Sequence, residues 1–295
     1  MPATTSLGDF WEAWPLFADA VLTGVILGAV LGVLGVYIVL GRMVFLSAAL
    51  SQVAGFGVTL AYAAQIHLGI AASLASPTLG ATLLSLLCLT LIWRNSEQER
   101  ARRDSMLGLI FLVGSAGTLM VASKIIQELH DVKTLLFGSS VAVLPEDFHM
   151  VMVFGALMLA IHIWWWRGFV EVTYDEDTAS VRGMPVRLIK LVLIITIAVA
   201  VSVCTRVLGA LPAFAFSIFP AMAAIIVANN LLRAMLIAAC IGGASGFLGY
   251  LFAFLYDFPV GPSQAITGLV FWCLAIVIAK LVNQLQTPSS GSQHV

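Results

Sequence analysis

RGFVEVTYDEDTASVRGMPVRLIK, residues 167–190, is the longest strongly charged interruption in a chain that is otherwise almost continuously apolar. Tyr174, Asp175, Glu176 and Asp177 form an acidic start, and Ala179 to Arg182 continue it as a short helix. Gly183-Met184-Pro185 stops that helix, because proline disfavours the helical conformation in the residue before it. A short helix closed by Gly and Pro between two hydrophobic spans is able to transmit force. An ordinary solvated loop joining two membrane helices has the same composition, so the surroundings of the segment decide its meaning.

Those surroundings are 61% hydrophobic and 10% charged over 295 residues, with a mean hydropathy of +1.04, against about 25% charged in soluble domains. The expected fold is therefore all-α, a polytopic membrane protein whose first partner is the lipid bilayer. A net charge of -1 gives no reason to expect nucleic acid. Cys88, Cys204, Cys240 and Cys273 lie inside apolar spans without metal-type spacing, which supports neither a disulfide framework nor a zinc knuckle. No Lys or Arg precedes Arg42, so the basic start of a signal peptide is missing. Phe10, Trp11, Trp14 and Phe17 instead suggest that residues 1–16 hold a short interfacial helix.

About nine apolar spans follow, at 17–40, 43–66, 68–93, 106–123, 150–166, 188–205, 207–232, 234–256 and 262–279. Each approaches the roughly 17 to 25 residues that a crossing needs. Alternating them across a bilayer places 11 of the 14 Lys and Arg residues on one side, with Lys124, Lys133 and Arg206 on the other. The positive-inside rule makes the richer side cytoplasmic, which puts the N-terminus outside and the C-terminus and Tyr174 inside. The domain so defined is 17–282, with a cytoplasmic loop at 167–190 and a polar, disordered tail at 283–295. Gly24, Gly28 and Gly32, four residues apart, invite close approach of another helix. Gly209, Pro212 and Pro220 in one span, and the Asp257-Phe-Pro-Val-Gly-Pro262 start of the last, predict bent or broken helices of the kind that wall a pathway. Ile125, Leu129, Val132 and Leu136 recur at helical spacing, as in an amphipathic helix on the outer face.

The middles of the spans carry no Asp, Glu, Lys or Arg, and Lys190 snorkels from a helix end. Ion-coupled transporters keep an ionisable group near the midplane, so uphill transport here needs another energy source. None of Lys124, Lys133, Lys190 or Lys280 belongs to a G-x-x-x-x-G-K-[ST] loop, so ATP hydrolysis would fall to a separate subunit docked on the cytoplasmic loops. Gly243-Ala244-Ser245-Gly246 matches the G-x-S-G motif of rhomboid-type proteases. A serine nucleophile needs a His base, and the one His after Ser245 is His294 in the tail, so close helix packing explains the stretch better. Ser51, Gln52, Gly55 and Thr59 share a face of the second span. That face either lines a pore or hydrogen-bonds to neighbouring helices.

With these motifs in order, the chain resembles the membrane permease of bacterial ATP-binding-cassette importers for zinc and manganese, from about Phe17 to Leu281. The family's DALSHA helix matches Ala48 to Val53, and its outer LFGS stretch matches Leu136 to Ser139. Its cytoplasmic FDEEFARALGLPV loop matches Tyr174 to Val186. Its glycine- and proline-bearing segment matches Val207 to Met222, keeping Gly209, Leu211, Ala215, Pro220 and Ala221, and its D-x-P-x-G-P turn matches Asp257 to Pro262. The resemblance implies a second, usually identical permease chain, two cytoplasmic ATPase subunits carrying ATP and Mg, and an external metal-binding protein in the bacterial inner membrane system. The chain itself then binds no cofactor, and zinc or manganese passes through as cargo. Ala48, Ser51, Gln52, Gly55, Thr59 and Pro220 fall on the implied pathway. Tyr174, Asp175, Glu176, Asp177 and Gly183 fall on the implied ATPase-coupling helix, which rocks the permease between outward and inward access.

The chain departs from the family where Asp and His of DALSHA become Ala48 and Gln52. Transition metals bind carboxylate, imidazole and thiolate, which neither Ala nor a neutral amide replaces. His67, His130, His149 and His162 are scattered over span ends and the outer segment, and a lone imidazole is not a metal site. Three accounts follow: a metal permease of relaxed selectivity, a half relying on a ligand-bearing partner chain, or a permease for a chelated metal or a non-metal small molecule.

Overall fold

The computed structural model describes residues 6–71, 74–94, 100–125 and 143–286. Among these residues the chain is all helix, in the order α1 Leu7–Glu12, α2 Trp14–Leu40, α3 Val44–Leu68, α4 Pro77–Arg94, α5 Arg100–Ile125, α6 Pro145–Trp164, α7 Trp166–Tyr174, α8 Glu176–Val181, α9 Val186–Leu208, α10 Ala210–Val227, α11 Leu231–Tyr256 and α12 Val260–Gln286. Eight of them are long and apolar enough to cross a membrane, and α4 is a shorter apolar helix. The protein is a polytopic all-α membrane protein. Its outward surface is greasy in keeping with that, with Leu83, Leu112, Met120, Val153 and Ile266 all exposed.

Hydrophobic burial drives little helix association inside lipid, so close backbone packing has to hold the helices together. The central seam does this with glycine. Gly24, Gly28 and Gly32 of α2 meet Gly246, Gly242 and Ala238 of α11, and a Cβ placed on Gly28 would come within 2.3 Å of the Gly242 carbonyl oxygen. A second seam of the same kind joins α3 to α4, where Gly57 faces Gly80. Around the first seam Leu27, Leu31 and Leu34 pack with Leu46 and Leu50 of α3, Ile197 and Val201 of α9 and Phe216 of α10 in one buried core.

Local chemistry sets the helix ends. Ser6 and Asp9 close a capping box on α1, which satisfies two otherwise orphaned N–H groups. Phe10 is then buried against Phe17, Phe247 and Phe254, so this helix is pinned to the bundle through one ring while Trp11 stays exposed. Asn230 caps α11 by accepting from the Arg233 N–H at 2.8 Å.

Two span boundaries differ from the sequence expectation. The second span continues to Leu68 and the third starts only at Pro77. Gly69 takes the left-handed conformation, φ 63°, that ends helices, and Pro77 opens the next where its missing N–H is harmless. The last span is not broken, because α12 is continuous from Val260 to Gln286 and Pro262 sits in its first turn. That helix also runs past residue 282, where the polar tail was expected to begin. The other expected break lies at Gly209, φ 102°, between α9 and α10, while α10 continues through Pro220. The expected amphipathic helix and the Leu136 to Ser139 stretch lie outside the described residues.

Candidate functional site

The polar stripe of α3 divides into two kinds of residue. Ser51 is fully buried and donates to the Ala48 carbonyl at 2.9 Å, and Thr59 does the same to Phe56 at 2.9 Å. Both hydroxyls are satisfied within their own helix, a common fate of Ser and Thr in apolar surroundings. Gln52 and Gly55 are half-buried, and among the described residues the Gln52 amide has no hydrogen-bond partner. The bare flank of Gly55 looks toward Thr118 of α5 and Thr205 of α9, whose side chains would lie 3.6 and 3.9 Å from an added Cβ. Thr118 donates to Gly114, whereas the buried Thr205 hydroxyl has no partner among the described residues. Gly114 lets the α5 backbone close directly on Gln52.

The structure thus collects Gln52, Gly55, Thr118 and Thr205 where α3, α5 and α9 meet. Spacing along α3 pointed to the first two only. Thr118 and Thr205 belong to helices whose own sequences carry no polar stripe.

Ala48 lies one turn before Gln52 on the same face of α3, but both it and Pro220 of α10 are buried in packing. Ala48 is 5% exposed. Its neighbour Ser47 shares a 2.7 Å hydrogen bond with Ser217 of α10, one turn before the buried Pro220. Ser217 is also where α10 presses on α2, its carbonyl facing Gly35.

Metal-ligating chemistry is sparse. Among the described residues no group of three His, Cys, Asp or Glu side chains stands close enough to hold an ion. His67 is exposed, and His149 donates through Nδ1 to the Pro145 carbonyl at 2.6 Å. His162 donates through Nδ1 to Met158 at 2.8 Å and lies 3.4 Å from the Thr196 hydroxyl. It packs against Tyr37 and Phe169, at ring separations of 5.7 and 4.9 Å. Ser245, the serine of the protease-like motif, donates to Ile241 at 2.7 Å.

The charged segment that opened the sequence is ordered throughout its helices. It contains two helices where one was expected: α7, amphipathic and anchored by Phe169 and Val172, then α8. Asp175 is extended, φ −153° and ψ 93°, and its carboxylate accepts from the backbone N–H of Asp177 and Thr178 at 3.1 and 3.0 Å and from the Thr178 hydroxyl at 2.5 Å. These bonds, the Thr178 hydroxyl first, hold its carboxyl below the usual carboxylate range. Gly183, φ 78°, ends α8, with Met184 N–H donating back to Ala179 at 3.1 Å.

One ion pair ties each end of α8 to a neighbour: Lys190 of α9 to Glu176, and Arg182 to Glu171 of α7 at 3.4 Å. Ala179 alone of this helix is buried, while Tyr174 and Val181 are 63% and 89% exposed. The result is a capped knuckle with two exposed apolar side chains and an acidic rim.

Residues 13–279, most of the chain, match the ABC 3 transport family. The chain belongs to the ABC 3 transport family. Among curated ABC 3 relatives, the manganese transport system membrane protein MntC of Halalkalibacterium halodurans is 26% identical over 275 residues, 93% of this chain and 91% of that protein. The chelated iron transport system membrane protein YfeD of Yersinia pestis is 22% identical over 265 residues, 90% of this chain and 86% of that one. Among solved structures, PsaBC from Streptococcus pneumoniae in complex with Fab superposes with a TM-score of 0.82 at 22% identity, covering 96% of this chain and 100% of the other. The likeness in fold runs through the whole ABC 3 bundle.

Proposed function

We propose that this chain is the permease of an ATP-driven importer of a divalent transition metal, manganese or zinc, in the bacterial inner membrane. It pairs with a second permease chain, takes cargo from an external metal-binding protein, and is driven by a cytoplasmic ATPase that carries ATP and Mg. The observation that carries the reading is α8. A short helix capped at both ends and ion-paired to α7 and α9 moves as one piece with the helix that bears Thr205. The exposed Tyr174 just before it and its own Val181 suit a groove in a protein partner. Manganese is favoured over zinc because relatives matched over nearly their whole length are named for manganese transport.

A chelated metal is the second reading. Ala48 and Gln52 leave the α3 face without an anionic or imidazole ligand, Thr118 and Thr205 add only hydroxyls, and one relative is named for chelated iron. Uptake of radiolabelled manganese into vesicles holding the permease and its ATPase tests the first reading. Absence of both uptake and metal-stimulated ATP hydrolysis overturns it. Ala48→Asp with Gln52→His separates the two, since a metal permease changes flux or selectivity while a pathway for a larger cargo is only impaired. Labelling of single cysteines placed at Asp177 and at Asp257 tests the orientation, with Asp177 expected inside.

A further inference from the structure

Where α6 gives way to α7, the chain reads Ile163-Trp164-Trp165-Trp166-Arg167. The turn at Trp165 and the start of α9 enclose a groove of about 470 Å³, lined by Trp164, Trp165, Arg167, Pro185, Leu188 and Ile189 among others. That volume is in the range of small-molecule sites. The groove opens sideways at the end of a membrane-spanning helix, with Ile163 76% and Trp164 85% exposed on its rim. Tryptophan favours the level of the lipid headgroups, which sets the groove at the membrane boundary. The polar face of α8 carries no part of its lining.

Two positive features stand there. Arg167 lines the groove, and among the described residues it has no carboxylate partner, in contrast to Arg182, Lys190 and Arg206. The second is the N-terminus of α9, a helix of 23 residues that no side chain caps, whose dipole presents partial positive charge. An apolar slot at headgroup depth with an unpaired arginine and a helix N-terminus at its mouth fits an amphiphile with one negative head and an alkyl tail.

We infer that this groove binds an anionic phospholipid, with the phosphate at Arg167 and the start of α9 and an acyl chain along Trp164, Leu188 and Ile189. The lipid then wedges between α6 and α9 next to the coupling helix, so membrane composition bears on how α8 moves. The site does not depend on the cargo or on which leaflet it faces.

The test uses the full-length chain reconstituted in nanodiscs of equal phosphatidylglycerol and phosphatidylcholine, released into mild detergent and weighed intact by native mass spectrometry. The wild type is expected to retain phosphatidylglycerol in preference. Arg167→Ala is expected to lower that preference roughly five-fold, the attraction one basic residue contributes at an anionic membrane surface, and Arg167→Lys to keep most of it. Melting temperatures equal to wild type exclude misfolding, since Arg167 is exposed. Equal retention of both lipids by the wild type, or an Arg167→Ala variant as selective as wild type, overturns the inference. Loss of the bound lipid on adding the ATPase subunit also overturns it, because the groove then belongs to a protein partner.

Discussion

Replacing Gly28 with Ala adds one methyl group at the tightest point of the α2–α11 seam. The new Cβ would stand 2.3 Å from the Gly242 carbonyl oxygen and 2.8 Å from its carbon. Non-bonded carbon atoms settle at about 3.5–4.0 Å, so the helices have to part by roughly 1 Å. A gap of that size forfeits a quarter to a half of each facing dispersion contact, and overpacking of this kind costs about 1–3 kcal/mol. Thermal unfolding in one detergent at one scan rate, followed by tryptophan fluorescence, is expected to show a fall of roughly 2–10 °C. Gly243, on the next position of α11, is the control. Its added Cβ would meet the Val25 side chain at 3.4 Å, ordinary contact, so Gly243→Ala is expected to stay within about 0.5 kcal/mol of wild type. Equal melting of Gly28→Ala and wild type, or equal damage from the two variants, refutes the argument from backbone contact.

At the opposite end of α9, Arg206 bonds Asp147 of α6 at 2.5 Å, with both side chains partly buried. Arg206→Ala is expected to cost on the order of 1–2 kcal/mol, and exchanging the two charges together to restore most of it in the same melting assay. For the coupling knuckle, Glu176→Ala and Gly183→Val are expected to leave the membrane part folded but to uncouple ATP hydrolysis from transport in vesicles. The first removes the Lys190 pair and the second strains a left-handed turn. Substrate-stimulated hydrolysis and transport both at wild-type level would contradict this. Because folding lowers the Asp175 pKa, its contribution to α8 is complete above the ordinary carboxylate range and is lost as pH falls through the lowered value. Hydrogen exchange at the Asp177 and Thr178 amides, corrected for intrinsic rate, should therefore show less protection at pH 3 than at pH 6, and Asp175→Ala should abolish the difference.

The membrane class, the number of apolar helices and the capped segment after Tyr174 were legible because composition, length and helix-stop residues act locally. The seam at Gly24, Gly28 and Gly32 was legible as a close approach, but its partner was not. Four-residue spacing on α2 states that something comes near without saying that α11 does. The α3 stripe misled in one respect. Periodicity put Ser51 and Thr59 on the same footing as Gln52, whereas an i−3 carbonyl takes each hydroxyl, and a helical wheel does not show that bond. Thr118 and Thr205 were invisible for the opposite reason, since each is one of a few scattered hydroxyls in an apolar helix and acquires meaning only beside Gly55 of α3. The second helix of the charged segment, α7, was missed because its buried Phe169 and Val172 are too few to declare a period on their own.

The α2–α11 seam has a mechanical corollary. With backbone against backbone there is no side chain to swing aside, so the two helices can shift lengthwise only by climbing out of one notch and into the next. The notches recur every four residues, a step of about 6 Å along the axis, and the larger neighbours between them bar intermediate stops. A rearrangement of the bundle that spares these notches leaves the pair in register, as a stator.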